Sequence, residues 1–237
     1  MVYDFNEAVK ESHFYLTKMY RLHKNSLFKS GGGGTEVSFG KYGDYPEIPL
    51  VGGKVNLSGK IDRVDTYGDY FRVIDYKTGK ADASNKGLYS GTKLQLYLYA
   101  LAIKNKKLAG AYYMPIKSGF KKENQTLFIG KSLDDQEILT AQDKAVFSGS
   151  EFLPAPEKKN LSSQENLTAL LEYSKIISEK AVLLMEEGFI FPTPYEGACE
   201  YCEYKAFCPN KDVKARKVKA VKESDILSAT KTEANNE

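Results

Sequence analysis

Gly59-Lys60-Ile61-Asp62-Arg63-Val64-Asp65 and Val73-Ile74-Asp75-Tyr76-Lys77-Thr78-Gly79 are the two stretches that decide how this 237-residue chain folds. The first belongs to residues 55–64, where apolar and polar side chains alternate. The second belongs to a strand over 71–77 that Thr78-Gly79 ends. Residues 65–70 between them are rich in turn formers, which predicts an antiparallel hairpin. Side chains in a strand repeat every two residues, so Asp75 and Lys77 share one face. If the hairpin sets Asp62 across from Asp75, two carboxylates and an ammonium converge at the strand ends. Carboxylates a few ångströms apart repel unless a divalent cation lies between them, and oxygen ligands suit Mg²⁺. The spacing alone equally fits an ordinary hairpin with charges on its solvent face.

Upstream, residues 3 to about 28 read as an amphipathic helix, with Phe5, Val9, Leu16, Met19, Tyr20 and Leu27 near a 3.6-residue period. Ser30 then leads into four consecutive glycines, Gly31 to Gly34, which cannot pack and form a flexible joint. Such a run is either a natural loop or a linker standing where a longer stretch was removed, and on the second reading residues belonging to the site are absent. Residues 35–39 read as a strand. Downstream, 91–105 is apolar nearly all round and predicts a buried helix. Residues 108–116 and 126–129 read as strands, and 132–147 as a helix opening on Asp134 and Asp135. A loop over 153–160 with Pro154 and Pro156 precedes a long helix over 162–187. The order predicts a mixed α/β core decorated at its C-terminus: an N-terminal helix over 1–30, the glycine linker over 31–34, the main domain over 35–208 and a tail over 209–237.

Composition excludes several classes. No apolar run approaches the roughly 20 residues that span a bilayer, and the first 20 residues hold no signal-peptide core. A hydrophobic content of 42% is too high for a disordered chain, and three cysteines cannot form a disulfide scaffold. A soluble, cytoplasmic protein with no membrane partner is expected. The net charge of +3 hides an asymmetry, because seven basic residues stand against Asp212 between Lys205 and Lys222. That segment is either an electrostatic footprint for nucleic acid or a solvated, flexible tail. No Gly-x₄-Gly-Lys-Ser/Thr loop occurs, so the chain is not itself an ATP motor.

Gly59-x-Ile61-Asp62-Arg63-x-Asp65, then Ile74-Asp75-Tyr76-Lys77-Thr78-Gly79, then Gln95-Leu96-Tyr97-Leu98-Tyr99 closely resembles the PD-(D/E)XK nucleases of the RecB/AddB kind. The resemblance runs from about Thr35 to Cys208. It implies a restriction-endonuclease-like α/β core, a mixed sheet flanked by helices, with a C-terminal cysteine-bearing extension. It implies that Asp62 and Asp75 bind Mg²⁺ or Mn²⁺ with the backbone carbonyl of Tyr76, that Lys77 is catalytic, and that Gln95 and Tyr99 support the site and contact DNA. Glu36 falls where the family often has a glutamate, near the metal or Lys77; a charged residue at the start of an edge strand is the plain alternative. The implied activity is a metal-dependent DNA exonuclease acting on single strands, inside an ATP-dependent helicase–nuclease of double-strand break repair with an AddA-like partner subunit. A catalytically weak or inactive DNA-binding or assembly module is the competing reading.

Two departures bear on that choice. The family also takes a metal ligand from an upstream helix, and the candidates, His13 and His23, lie within 50 residues of Asp62, nearer than the family's ligand. The third protein ligand is therefore expected to be missing. Cys199, Cys202 and Cys208 have ligand-like spacing. A zinc site is one reading of them, and the resemblance implies a [4Fe–4S] cluster completed by a fourth cysteine far upstream. No fourth cysteine exists here, so the cluster is expected to be incomplete, and both absences suggest a trimmed domain of a larger subunit.

Overall fold

The computed structural model describes residues 5–30, 34–79, 81–116, 127–153, 158–200, 202–208, 215–218 and 220–234. In chain order these form α1 (Phe5–Asn25), β1 (Thr35–Phe39), β2 (Ile48–Leu50), β3 (Val55–Leu57), β4 (Gly59–Tyr67), β5 (Tyr70–Lys77), α2 (Asn85–Tyr89), α3 (Gln95–Ala102), β6 (Lys107–Pro115), β7 (Ile129–Leu133), α4 (Gln136–Gln142), β8 (Leu161–Ser162), α5 (Gln164–Glu186) and α6 (Glu223–Ala234). Six strands make one mixed sheet in the order β1-β4-β5-β6-β7-β8, while β2 and β3 pair in a separate ribbon. β5 and β6 run parallel, which requires a crossover, and α2 with α3 supplies it. Both strands are buried over nearly their whole length because helices cover the sheet on each side.

Alternation along β5 divides the core. Phe71 and Val73 pack with Leu96 and Ala100 of α3 and Leu167 and Leu170 of α5. Ile74 packs on the opposite face with Tyr112, Met114, Leu22 of α1 and Leu139 of α4. That second face also buries charge. Asp65 accepts from Arg63 Nε at 2.7 Å and from Arg72 Nη2 at 2.8 Å, and neither Asp65 nor Arg72 has exposed side-chain surface. The Arg72 guanidinium lies 5.2 Å from the Phe28 ring centre and 5.6 Å from that of Phe128.

The mixed α/β sheet and the 59–77 hairpin match the sequence reading; several boundaries do not. The expected strand over 55–64 breaks at Ser58, because Val55–Leu57 turns back onto β2 and only the part from Gly59 enters the main sheet. Gly59 lies against Phe39, whose ring would stand 2.8 Å from a Cβ there. The turn over 65–70 is much tighter, since pairing continues to Tyr67 and Tyr70 and leaves Gly68, at φ +53°, with Asp69 to turn the chain. The expected 91–105 helix begins only at Gln95, after Gly91 at φ +73°. Ser132 lies in β7, and the helix expected over 132–147 is α4 alone, capped by Asp135, which accepts from Ile138 N at 3.0 Å. On α1 most of the apolar stripe faces out, with Phe5 78% and Leu16 70% exposed, while Met19 of that stripe packs with Tyr15 beside the buried Leu22. Only the second half of that helix reaches the sheet.

The largest correction concerns the tail. Of its basic segment, residues 209–214 and Lys219 lie outside the described residues, as do Gly31 to Gly33, Thr126, Pro154 and Pro156. Glu223–Ala234 is not a loose tail but α6, with Ile226 fully buried. Glu223 is the latch: it accepts from Lys131 Nζ at 2.6 Å, Ser162 Oγ at 2.8 Å and Asn166 Nδ2 at 2.8 Å. Glu223→Ala is expected to strip a buried ammonium of its partner and lower stability by about 2 kcal/mol. Faster amide exchange in α6 together with a lower denaturant midpoint would verify it, and unchanged exchange there would refute the latch. No helix among the described residues is long and apolar enough to cross a membrane.

Candidate active site

The register of the hairpin places the carboxylates. Arg63 pairs with Ile74, and one further step sets Asp62 opposite Asp75. The Asp62 carboxylate accepts from the Tyr76 backbone N–H at 2.8 Å, which fixes it beside Asp75. Asp75 is only 2% exposed. Lys77 Nζ lies 2.5 Å from its Oδ2, an ion pair that sets the lysine directly against this buried carboxylate. Burial raises the Asp75 carboxyl above the usual carboxylate value against the pull of Lys77, and the charge of Asp62 adds to the rise.

Lys77 is steadied from three sides. Its Nζ donates to Gln95 Oε1 at 2.7 Å, and Gln95 Nε2 donates to Tyr99 Oη at 2.7 Å. The i, i+4 spacing on α3 brings Gln95 and Tyr99 to one face, as their positions in the sequence suggest. The third support is Tyr113 on β6, the parallel-strand neighbour of Asp75, whose ring centre lies 5.1 Å from Nζ. Burial, then the charges of Asp75 and Asp82, push the Tyr113 hydroxyl up to about 12. A cleft of about 320 Å³ opens beside Lys77, lined also by Asp82, Lys93, Gln95 and Tyr113.

Asp62, Asp75, Lys77, Gln95 and Tyr99 are thus brought together; other candidates are not. Glu36 sits at φ +55°, and its exposed carboxylate pairs with Lys60 at 2.6 Å instead of joining Asp62 and Asp75. That pairing holds it below the usual carboxylate value. His13 and His23 are exposed on α1, which packs on the sheet face opposite Asp75 and Lys77. Cys199 and Cys202 are exposed and Cys208 is half-buried, all three as free thiols. Among the described residues no three His, Cys, Asp or Glu side chains gather closely enough to hold a metal. Two carboxylates, Asp75 almost wholly buried and Asp62 fixed beside it, still fit Mg²⁺ or Mn²⁺, because Mg²⁺ keeps several waters and takes one or two protein carboxylates plus substrate phosphates. Three thiols do not fit a cubane that takes four. Sequence reasoning missed Tyr113 entirely, since only the parallel pairing of β5 with β6 brings residues so far apart to one place.

Comparison with known proteins shows the family. A family model described as the PD-(D/E)XK nuclease superfamily matches residues 6–209. The chain is 28% identical to an ATP-dependent helicase/deoxyribonuclease subunit from Thermoanaerobacter sp. (strain X514), over 91% of this chain and 22% of that protein. It is 32% identical to the protein of the same name from Clostridium novyi (strain NT), over 74% of this chain and 19% of that protein. It is 26% identical to the one from Alkaliphilus metalliredigens (strain QYMF), over 99% of this chain and 26% of that protein. The chain therefore spans 19–26% of the length of these curated relatives.

Proposed function

The chain belongs to the PD-(D/E)XK nuclease superfamily, and on that premise we propose that Asp62, Asp75 and Lys77 form the active site of a Mg²⁺- or Mn²⁺-dependent DNA exonuclease. The observation that carries the reading is the convergence of Asp62, the buried Asp75 carboxylate and its ion-pair partner Lys77 at one end of the hairpin. Asp62 and Asp75 would hold the ion, with the Tyr76 carbonyl as third donor. The ion, when bound, supplies positive charge to the phosphoryl oxygens and acidifies water. Lys77 keeps its ammonium where charge develops on the phosphodiester in the transition state, and Gln95 fixes it there by accepting from Nζ. Tyr99 holds Gln95 in turn. Single-stranded DNA is the proposed substrate, in the cytoplasm, with the chain serving as part of a helicase–nuclease subunit that pairs with an AddA-like partner in double-strand break repair.

One observation favours the second reading, a weakened site kept for DNA binding or assembly. Glu36 is turned to Lys60, and no third acidic or imidazole ligand stands beside the pair among the described residues. The deciding experiment is digestion of end-labelled single-stranded DNA with Mg²⁺, with Mn²⁺ and with chelator. Metal-dependent shortening from an end supports the exonuclease, and an intact strand under all three conditions favours the module.

Gln95→Ala removes the acceptor that positions Lys77 and the donor to Tyr99 while leaving both charges in place. Cleavage is expected to slow about 10- to 100-fold, as for other residues that orient a ligand or catalytic group. Turnover at saturating DNA measures it, and a rate equal to wild type would remove Gln95 from the site.

A further inference from the structure

The β1–β2 connection leaves the sheet at the end that carries the carboxylates. β1 ends on Phe39, which pairs with Gly59 at the start of β4, three positions before Asp62. The Phe39 ring meets Tyr99 edge-on with centres 6.0 Å apart, and Tyr99 holds Gln95. Tyr42 follows Phe39 by three residues, at most about 11 Å of extended chain.

The backbone of this loop is pinned. Asp44 accepts from Ser38 N at 2.9 Å and Ser38 Oγ at 2.8 Å. Gly40 N donates to Tyr45 O at 3.0 Å, Tyr45 N to Ser38 O at 3.1 Å and Gly43 N to Gly40 O at 3.1 Å. The loop closes so tightly that a Cβ on Gly43 would lie 2.8 Å from the Phe39 Cα, so only glycine fits there. On this fixed support Tyr42 is 92% exposed, and Lys41 Nζ stands 5.6 Å from its ring centre. A slack loop would let the ring fold back onto the surface; this one holds it in water beside a cation.

We infer that Tyr42 is a stacking platform for an unpaired base of the DNA strand entering the site, with Lys41 beside it for a phosphate. The inference rests on the deoxyribonuclease reading and extends it to how a strand is gripped. Every base offers a π-face, so stacking tolerates sequence, but paired bases in a duplex already stack on one another. The platform therefore selects unpaired strands.

The test uses the whole chain with chelator present, so that binding is read without cleavage. The probes are a labelled oligothymidine and an abasic strand of equal length. Tyr42→Ala is expected to weaken oligothymidine binding about five- to 100-fold, and Tyr42→Phe, which keeps the ring, to stay within about twofold. The abasic strand should bind wild type and Tyr42→Ala equally, and melting temperatures should match because the side chain is exposed. Oligothymidine binding unaffected by Tyr42→Ala would overturn the inference, as would an equal loss on the abasic strand, which would make the ring a contact for backbone or for protein. A wild-type chain that shows this pattern yet never cleaves with Mg²⁺ or Mn²⁺ would defeat the nuclease reading and leave the platform standing.

Discussion

Asp75→Asn is expected to lower DNA cleavage at least about a thousandfold while leaving the melting temperature equal to or above that of wild type. The two halves of that result have one cause. Asp75 is buried, and burial with the charge of Asp62 raises its carboxyl above the usual value despite Lys77. A carboxyl raised by folding stabilises the fold below its ordinary unfolded value, and that contribution is lost as pH rises through the raised folded value. At neutral pH the ionised group is therefore a net cost to the metal-free fold, and asparagine of the same shape removes it. The wild-type chain, melted without divalent ions, should lose stability across that carboxylate window relative to Asp75→Asn. Lys77→Ala should abolish cleavage as well but melt lower, because it leaves the Asp75 charge without its cation. Thermal melts at stepped pH alongside the cleavage assay measure both. Cleavage by Asp75→Asn at the wild-type rate would end the assignment, and a large fall in its melting temperature would make Asp75 a structural residue.

How much of this was legible in the sequence depended on whether the deciding contact was local. Asp62, Asp75 and Lys77 are tied by a hairpin and a two-residue repeat, so their convergence follows from strand geometry. Gln95 and Tyr99 follow from one helical turn. Tyr113 could not be read in the same way, because its place beside Lys77 is set by parallel pairing across the α2–α3 crossover. Periodicity misled on α1 for a related reason: a stripe shows which residues share a face and not which face meets the sheet. Phe5 and Leu16 share a stripe that faces solvent, whereas Leu22 points inward. The order of the tail is hidden from charge counting over 205–222, which stops just before Glu223, whose partners come from β7, β8 and α5. Alternation likewise continues through Ser58 although the chain changes sheet there.

Asp65, quoted in the same motif as Asp62, has a different task, and its substitution should have the largest effect on stability. Its carboxylate lies on the face opposite the site and neutralises Arg63 and Arg72 at once. Arg72 has no exposed surface, also donates to the Gln142 carbonyl at 3.2 Å and stands between two aromatic rings, so it cannot turn to water. Asp65→Asn keeps the size and removes the charge, leaving two guanidinium groups together inside the fold. Breaking a buried pair in this way costs about 3–5 kcal/mol. In a chain of this length each kcal/mol lowers the melting temperature by about 2–4 °C, so a fall of roughly 10 °C is expected. Asp65→Leu with Arg72→Met should recover part of it, because both fully buried charges then go together and Arg63, with 12% of its side chain exposed, can reach solvent. Cleavage per folded molecule should survive in both variants, since neither residue touches Asp75 or Lys77. A loss below about 1 kcal/mol for Asp65→Asn would show that the triad is not what holds this face of the sheet together. A double variant no more stable than the single one would show that Arg72 matters to the fold through its hydrogen bond to Gln142 and its ring contacts more than through its charge.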